Sequence, residues 1–132
     1  MILRHSILDL WELNEFIEPL NKGIENTRKS LGDILVDKYS YVLSLKDKPM
    51  IVVIERRSRY TANLHVYFGK ETRGKQAVDF IKDVNEYLKG TDIRFVFNFT
   101  EDRKVKLFMG CFANSKHIGN YKGYSVYKTI VT

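Results

Sequence analysis

Thr61–Leu88, TANLHVYFGKETRGKQAVDFIKDVNEYL, decides the fold. Its first eight residues alternate: Leu64, Val66 and Phe68 fall on one side of an extended chain, His65 and Tyr67 on the other. From Ala77 the period changes. Ala77, Phe80, Ile81, Val84, Tyr87 and Leu88 recur at the spacing of one helical face. Between strand and helix lies a short basic turn, Lys70-Glu71-Thr72-Arg73-Gly74-Lys75, with Thr72 suited to cap the helix and Gly90 to stop it. Such a turn sets the unpaired N–H groups and positive dipole end of a helix beside the cations Arg73 and Lys75 and the small residue Gly74, a means of holding a phosphorylated ligand. Cations at this end oppose the dipole by ~0.3–1 kcal/mol, a misfit that a bound anion relieves.

Outward from this unit the chain reads as one domain. Ile93–Phe99, IRFVFNF, is a strand, and strand–helix–strand at this spacing implies a crossover with Thr61–Phe68 and Ile93–Phe99 parallel. Glu101–Phe112 reads as a last helix, capped by Thr100, with Val105, Phe108 and Phe112 as its stripe. Two strands close the chain, near Lys116–Ile118 and at Tyr124–Val131, with a turn containing Gly119-Asn120 and Gly123. Upstream, Ile34–Leu45 and Met50–Glu55 read as strands joined by a turn at Lys46-Asp47-Lys48-Pro49, and Arg56-Arg57-Ser58-Arg59 connects to Thr61. Met1–Ile7 is a short first strand. Asp9 caps a helix from about Leu10, with Trp11, Leu13, Phe16, Ile17 and Leu20 on one face, and Asn21–Leu31 is a second helix or turn ending at Gly32. The order β, α, α, β, β, β, α, β, α, β, β implies an α/β (α+β) mixed sheet flanked by helices.

Composition narrows the classes. The chain has 132 residues and 44% hydrophobic content, which suits one globular domain rather than two or a disordered chain. No apolar run reaches the ~18 residues of a membrane span. The start MILRHSILDLWELNEF has no long apolar core and no small-residue cleavage site, so a secretory leader is not expected. One cysteine, Cys111, allows no internal disulfide and fits a reducing compartment. The net charge of +6 favours anionic partners or, alternatively, is an ordinary solvated surface.

The element order and the stretch Phe68-Gly69-Lys70-Glu71-Thr72-Arg73-Gly74-Lys75-Gln76-Ala77-Val78 resemble the GNAT superfamily of N-acetyltransferases, over nearly the whole chain. In that family a strand splays from its neighbour here, and Arg/Gln-x-x-Gly-x-Gly/Ala opens the central helix, its amides wrapping the pyrophosphate of acetyl-coenzyme A. The resemblance implies a mostly antiparallel sheet with a central parallel pair. It implies acetyl-coenzyme A as cofactor, held by Val66, Phe68, Arg73, Gly74, Lys75, Gln76, Ala77 and Val78. Gln76 and Val78 stand where the family has small residues, and side chains there crowd a phosphate. The family's N-x-x-A helix resembles Asp102-Arg103-Lys104-Val105. Its proton-donating tyrosine is replaced by Met109, which cannot donate, leaving Tyr124 or Tyr127 as substitutes. Small GNAT-like proteins of tailed bacteriophages are the most similar group. They imply a location in the host cytoplasm or inside a phage particle, with virion proteins as partners.

An acyltransferase needs a base near the splayed strands to take a proton from the attacking amine. His65 is one candidate, Glu55 on the neighbouring strand another, acting through water; for each the alternative is a structural strand residue. His5 and His117 have no partner visible in the sequence. Cys111 lies in an apolar helix and reads as packing. No His or Cys pair has metal-ligand spacing, so no metal is expected. Arg56-Arg57-Ser58-Arg59-Tyr60 combines cations with a ring, which suits nucleic acid, but a basic hairpin turn explains it better. Three readings follow: an acyl-coenzyme A-dependent N-acyltransferase, weak or degenerate; a catalytically silent GNAT-fold interaction protein of a phage; and a basic nucleic-acid-binding module.

Overall fold

The computed structural model describes residues 2–5, 39–45, 48–68, 74–101, 103–109 and 114–131. The expected helices upstream of Gly32, the start of the strand at Ile34, the cap Thr72, the cation Arg73 and the thiol Cys111 lie outside the described residues.

Among the described residues, seven strands form one sheet, in the spatial order β1, β2, β3, β4, β5, β7, β6. They are β1 (Ile2–His5), β2 (Tyr41–Leu45), β3 (Lys48–Arg56), β4 (Thr61–Phe68), β5 (Phe95–Thr100), β6 (Ser115–Tyr121) and β7 (Tyr124–Ile130). All neighbours are antiparallel except β4 and β5, which are parallel. The crossover between them is α1 (Gly74–Lys89), and α2 (Arg103–Met109) follows β5. This is the mixed, mostly antiparallel sheet with a central parallel pair that the resemblance implies, and the parallel pair is the one that the period change implies.

α1 buries Ala77, Phe80, Val84 and Leu88, while Ile81 is half-buried beside them. This stripe packs on Leu43 of β2, Met50, Val52 and Ile54 of β3, and Leu64 of β4. The other face of the same strands buries Val42, Ile51 and Val53 completely. A sheet buried on both faces cannot alternate apolar with polar, which is why MIVVI reads as a continuous run.

Several boundaries shift for local reasons. β3 begins at Lys48, so Lys48 and Pro49 belong to the strand. The register jumps from Ser44↔Ile51 to Leu45↔Lys48, leaving Pro49 without a β2 partner, so its missing N–H breaks no ladder bond. β5 begins at Phe95, because the N–H groups of Arg94 and Phe95 both donate to the Tyr60 carbonyl. α1 ends without a left-handed Gly90. Instead the Thr91 hydroxyl donates to the Leu88 carbonyl (2.7 Å) and accepts from the Ile93 N–H. Thr100 closes β5 and does not adjoin α2, which starts at Arg103.

The last hairpin turns at Lys122-Gly123, both at positive φ (48° and 86°), the signature of a two-residue type I′ turn. Gly119 and Asn120 lie inside β6, next to a register shift between His117 and Gly119. The arginine-rich connection is a hydrogen-bonded turn. The N–H groups of Arg57 and Ser58 donate to the Thr61 carbonyl. The Arg56 guanidinium donates to the carbonyls of Ser58 and Arg59, and Arg59 pairs with Asp92.

Candidate functional site

The parallel ladder is short. It holds Thr61↔Phe95, Ala62↔Val96 and Asn63↔Phe97 and then stops. β4 stays paired to β3 as far as Phe68, opposite Met50, and β5 stays paired to β7 as far as Thr100, opposite Ser125. Each strand follows its own antiparallel neighbour, so a gap opens between Leu64–Phe68 and Asn98–Thr100.

Asn98 spans the mouth of that gap. It is 4% exposed, and its Nδ2 donates to the Leu64 carbonyl at 2.8 Å. Its Oδ1 is buried without a hydrogen-bond partner among the described residues, as is the Thr129 Oγ1 on β7. Both residues line a cavity of about 30 Å³ that Leu64, Ile81, Val96 and Met109 also border. A buried acceptor without a donor is costly, about 1–3 kcal/mol, and an N–H or O–H from an ordered water or a ligand would satisfy it. The sequence signal is the asparagine interrupting the apolar run FVFNF, which sequence reading passed over.

α1 starts at the same end of β4, six residues beyond Phe68. Its first turn contains no acidic residue, so nothing there offsets the dipole. Gly74 is exposed, and a Cβ placed on it would meet nothing within 4 Å, so its backbone is open to approach. Lys75 is also exposed, Gln76 is half-buried, and Ala77 is buried against Met109 of α2. Val78 packs against the same Ala77–Met109 pair rather than standing apart from it. Val66 is half-buried against the core, and Phe68 ends β4. Met109 is buried, and Tyr127, half-buried, packs on it from β7. Tyr124 is exposed and stands apart from that cluster.

On the opposite face of β4, the two candidate bases meet. His65 Nε2 lies 3.4 Å from Glu55 Oε1, the same oxygen that accepts from Asn63 Nδ2 at 3.1 Å. The register explains the contact: Glu55 is opposite Asn63 and Val53 opposite His65, so Glu55 reaches His65 diagonally. Both side chains keep partial exposure, 32% for His65 and 25% for Glu55. His65 lies on the segment of β4 that borders the gap. A carboxylate orienting an imidazole beside an open strand edge can accept a proton from a polar ligand. Among the described residues no three His, Cys, Asp or Glu side chains form a metal-binding group.

The sequence matches no family model and no curated protein. Solved structures do match in shape. A probable acetyltransferase from Staphylococcus epidermidis superposes with a TM-score of 0.68 at 16% identity, over 100% of this chain and 99% of its own. The GNAT domain of S. lividans PAT gives 0.69 at 11% identity, over 98% and 89%. The PaiA N-acetyltransferase from Thermoplasma acidophilum, in complex with coenzyme A, gives 0.65 at 11% identity, over 98% and 99%. The chain therefore has the fold of the GNAT acetyltransferases.

Proposed function

We propose that the protein binds an acyl thioester of coenzyme A in the gap between β4 and β5 and transfers the acyl group to an amine. The observation that carries this reading is the gap itself, bridged by a buried asparagine whose carbonyl oxygen has no donor. A coenzyme A thioester supplies, when bound, an activated acyl carbonyl on an arm rich in amide N–H groups. A neighbour of the same fold is a complex with coenzyme A.

The chain's residues divide the work. The Gly74 backbone and the Lys75 cation attract phosphate to the start of α1. Asn98 Oδ1 accepts an N–H inside the gap, while its Nδ2 keeps the two strands at fixed separation. Exposed backbone groups of the Leu64–Phe68 segment orient the carbonyl. His65 donates its Nε2–H to Glu55 and takes the proton from the amine at Nδ1. Tyr127 packs against Met109, and its hydroxyl is the candidate proton donor where Met109 offers none.

Met109 favours a second reading, in which the fold is catalytically silent and serves as an interaction protein, of the phage-particle kind that the resemblance implies. Calorimetry with acetyl-coenzyme A, followed by an acetyl-transfer assay on a panel of amines, decides. Binding with turnover supports the first reading; absence of binding supports the second.

A further inference from the structure

The chain's charge is not spread evenly. Up to Asp102 the sequence carries sixteen cationic and sixteen acidic side chains, so the whole excess of +6 comes from Arg103, Lys104, Lys106, Lys116, Lys122 and Lys128. The three last lysines lie on β6, β7 and their hairpin tip, and β5, β6 and β7 contain no carboxylate side chain.

These strands expose rings beside the lysines. Register places Phe99 of β5, Tyr121 of β6 and Tyr124 of β7 on the sheet face away from α1. They are 41%, 57% and 42% exposed. Side-chain contacts confirm a shared face: the Phe99 and Tyr121 rings meet edge to face at 6.4 Å, and Lys128 Nζ lies 4.4 Å from the Phe95 ring centre. Lys122 Nζ stands 5.3 Å from the Tyr121 ring centre, at the hairpin tip.

The geometry points to a binding surface for single-stranded nucleic acid on the β5–β7–β6 end of the sheet. Bases of any sequence stack on exposed rings, and phosphates are matched by Lys116, Lys122 and Lys128. A second copy of the chain fits less well, because a two-fold contact sets this uniformly cationic face against itself. Asn98 lies on the α1 side of the sheet, and His65 shares this face only from β4, across the strand gap from Phe99, so the proposal does not depend on the acyl-transfer reading.

The test is fluorescence anisotropy with a labelled oligothymidylate of about twelve nucleotides, titrated between about 50 and 200 mM salt. We expect binding whose log–log salt slope is about −2, from three lysines at about −0.7 each. Lys116→Gln, Lys122→Gln and Lys128→Gln together should flatten the slope. Tyr121→Ala should weaken binding about fivefold or more with the slope unchanged, and Tyr121→Phe should restore it. Acetyl-coenzyme A binding, measured in parallel, should be the same in all variants. Thermal melting checks that each variant is folded; if Tyr121→Ala is not, Tyr124→Ser serves in its place. Absence of binding at the lowest salt overturns the proposal. So does binding insensitive to both ring substitutions, or a preference for duplex over single strand. A concentration-dependent dimer in sedimentation that Tyr121→Ala dissolves also overturns it, and assigns the face to a second copy.

Discussion

Asn98 of β5 donates its side-chain amide to the Leu64 carbonyl of β4, 2.8 Å away, at the first step where the two parallel strands have stopped pairing. A side chain replaces the ladder bond that the divergence removes. We expect Asn98→Ala to strand that carbonyl in a buried setting and to cost ~1–3 kcal/mol, read as a lower midpoint in denaturant. Unchanged stability would show that the strands hold their separation without the bridge.

The His65–Glu55 contact makes a kinetic prediction. If the protein transfers acyl groups, His65→Ala should lower turnover by ~10²–10⁴-fold while leaving acetyl-coenzyme A affinity within error. Glu55→Gln, which keeps an acceptor oxygen but no charge, should fall between. A His65→Ala protein with full turnover removes the imidazole from the reaction.

Tyr41 makes a stability prediction. It is buried, and its hydroxyl has no hydrogen-bond partner among the described residues. The Arg4 guanidinium lies 4.0 Å from the ring centre and Tyr87 meets the ring edge to face. Burial above all, helped by Tyr87, raises the pKa of the phenol above its ordinary 10.0, against the smaller lowering by Arg4 and Arg56. In the interval above 10 the unfolded chain loses this proton before the folded one. The stability tied to neutral Tyr41 is therefore complete below that value and declines as pH rises past it. Tyr41→Phe should gain ~1 kcal/mol or remain neutral at pH 7 and should show a shallower alkaline decline. A steeper decline in Tyr41→Phe would contradict the assignment.

The hairpin turn supplies another. Lys122 occupies positive φ, where side chains other than Asn, Asp and Gly are disfavoured. Lys122→Asn should raise stability by ~0.5–1 kcal/mol and Gly123→Ala should lower it by ~1 kcal/mol, both measured by thermal denaturation.

Phe80 tests the core. It is fully buried at the centre of the α1 stripe, so Phe80→Ala should cost ~3–5 kcal/mol in chemical denaturation.

The fold was legible where one period gave way to another. Leu64 and Val66 on alternating positions, then Phe80, Val84 and Leu88 on a helical face, are dictated by burial on one side of each element. The final turn was not legible. Gly119-Asn120 has the stronger turn chemistry, yet Gly119 stays paired with Val126 within β6, just past a register shift at Ile118, and the chain turns at Lys122 against its own preference. The base candidates His65 and Glu55 could be named from residue type, but their contact depends on the β3–β4 register, which a single residue's slip would undo. Asn98 escaped notice because its role is defined by what lies across the gap, 34 positions earlier in the chain, and sequence shows only a polar residue in an apolar strand.

The short parallel ladder also has a folding consequence. β1 to β4 form one antiparallel run and β5, β7 and β6 another, joined by three cross-strand pairs. Like the pairing of Ile2 with Leu45 in β1–β2, the join of Thr61 with Phe95 brings together segments far apart in sequence, and α1 makes the crossover. The sheet is thus two antiparallel units with a narrow seam, across which one apolar core extends. Amide hydrogens that cross the seam should exchange through openings that leave both units intact, at a lower free energy than those inside either run. The same line that opens toward a ligand has the fewest paired residues among the described strands.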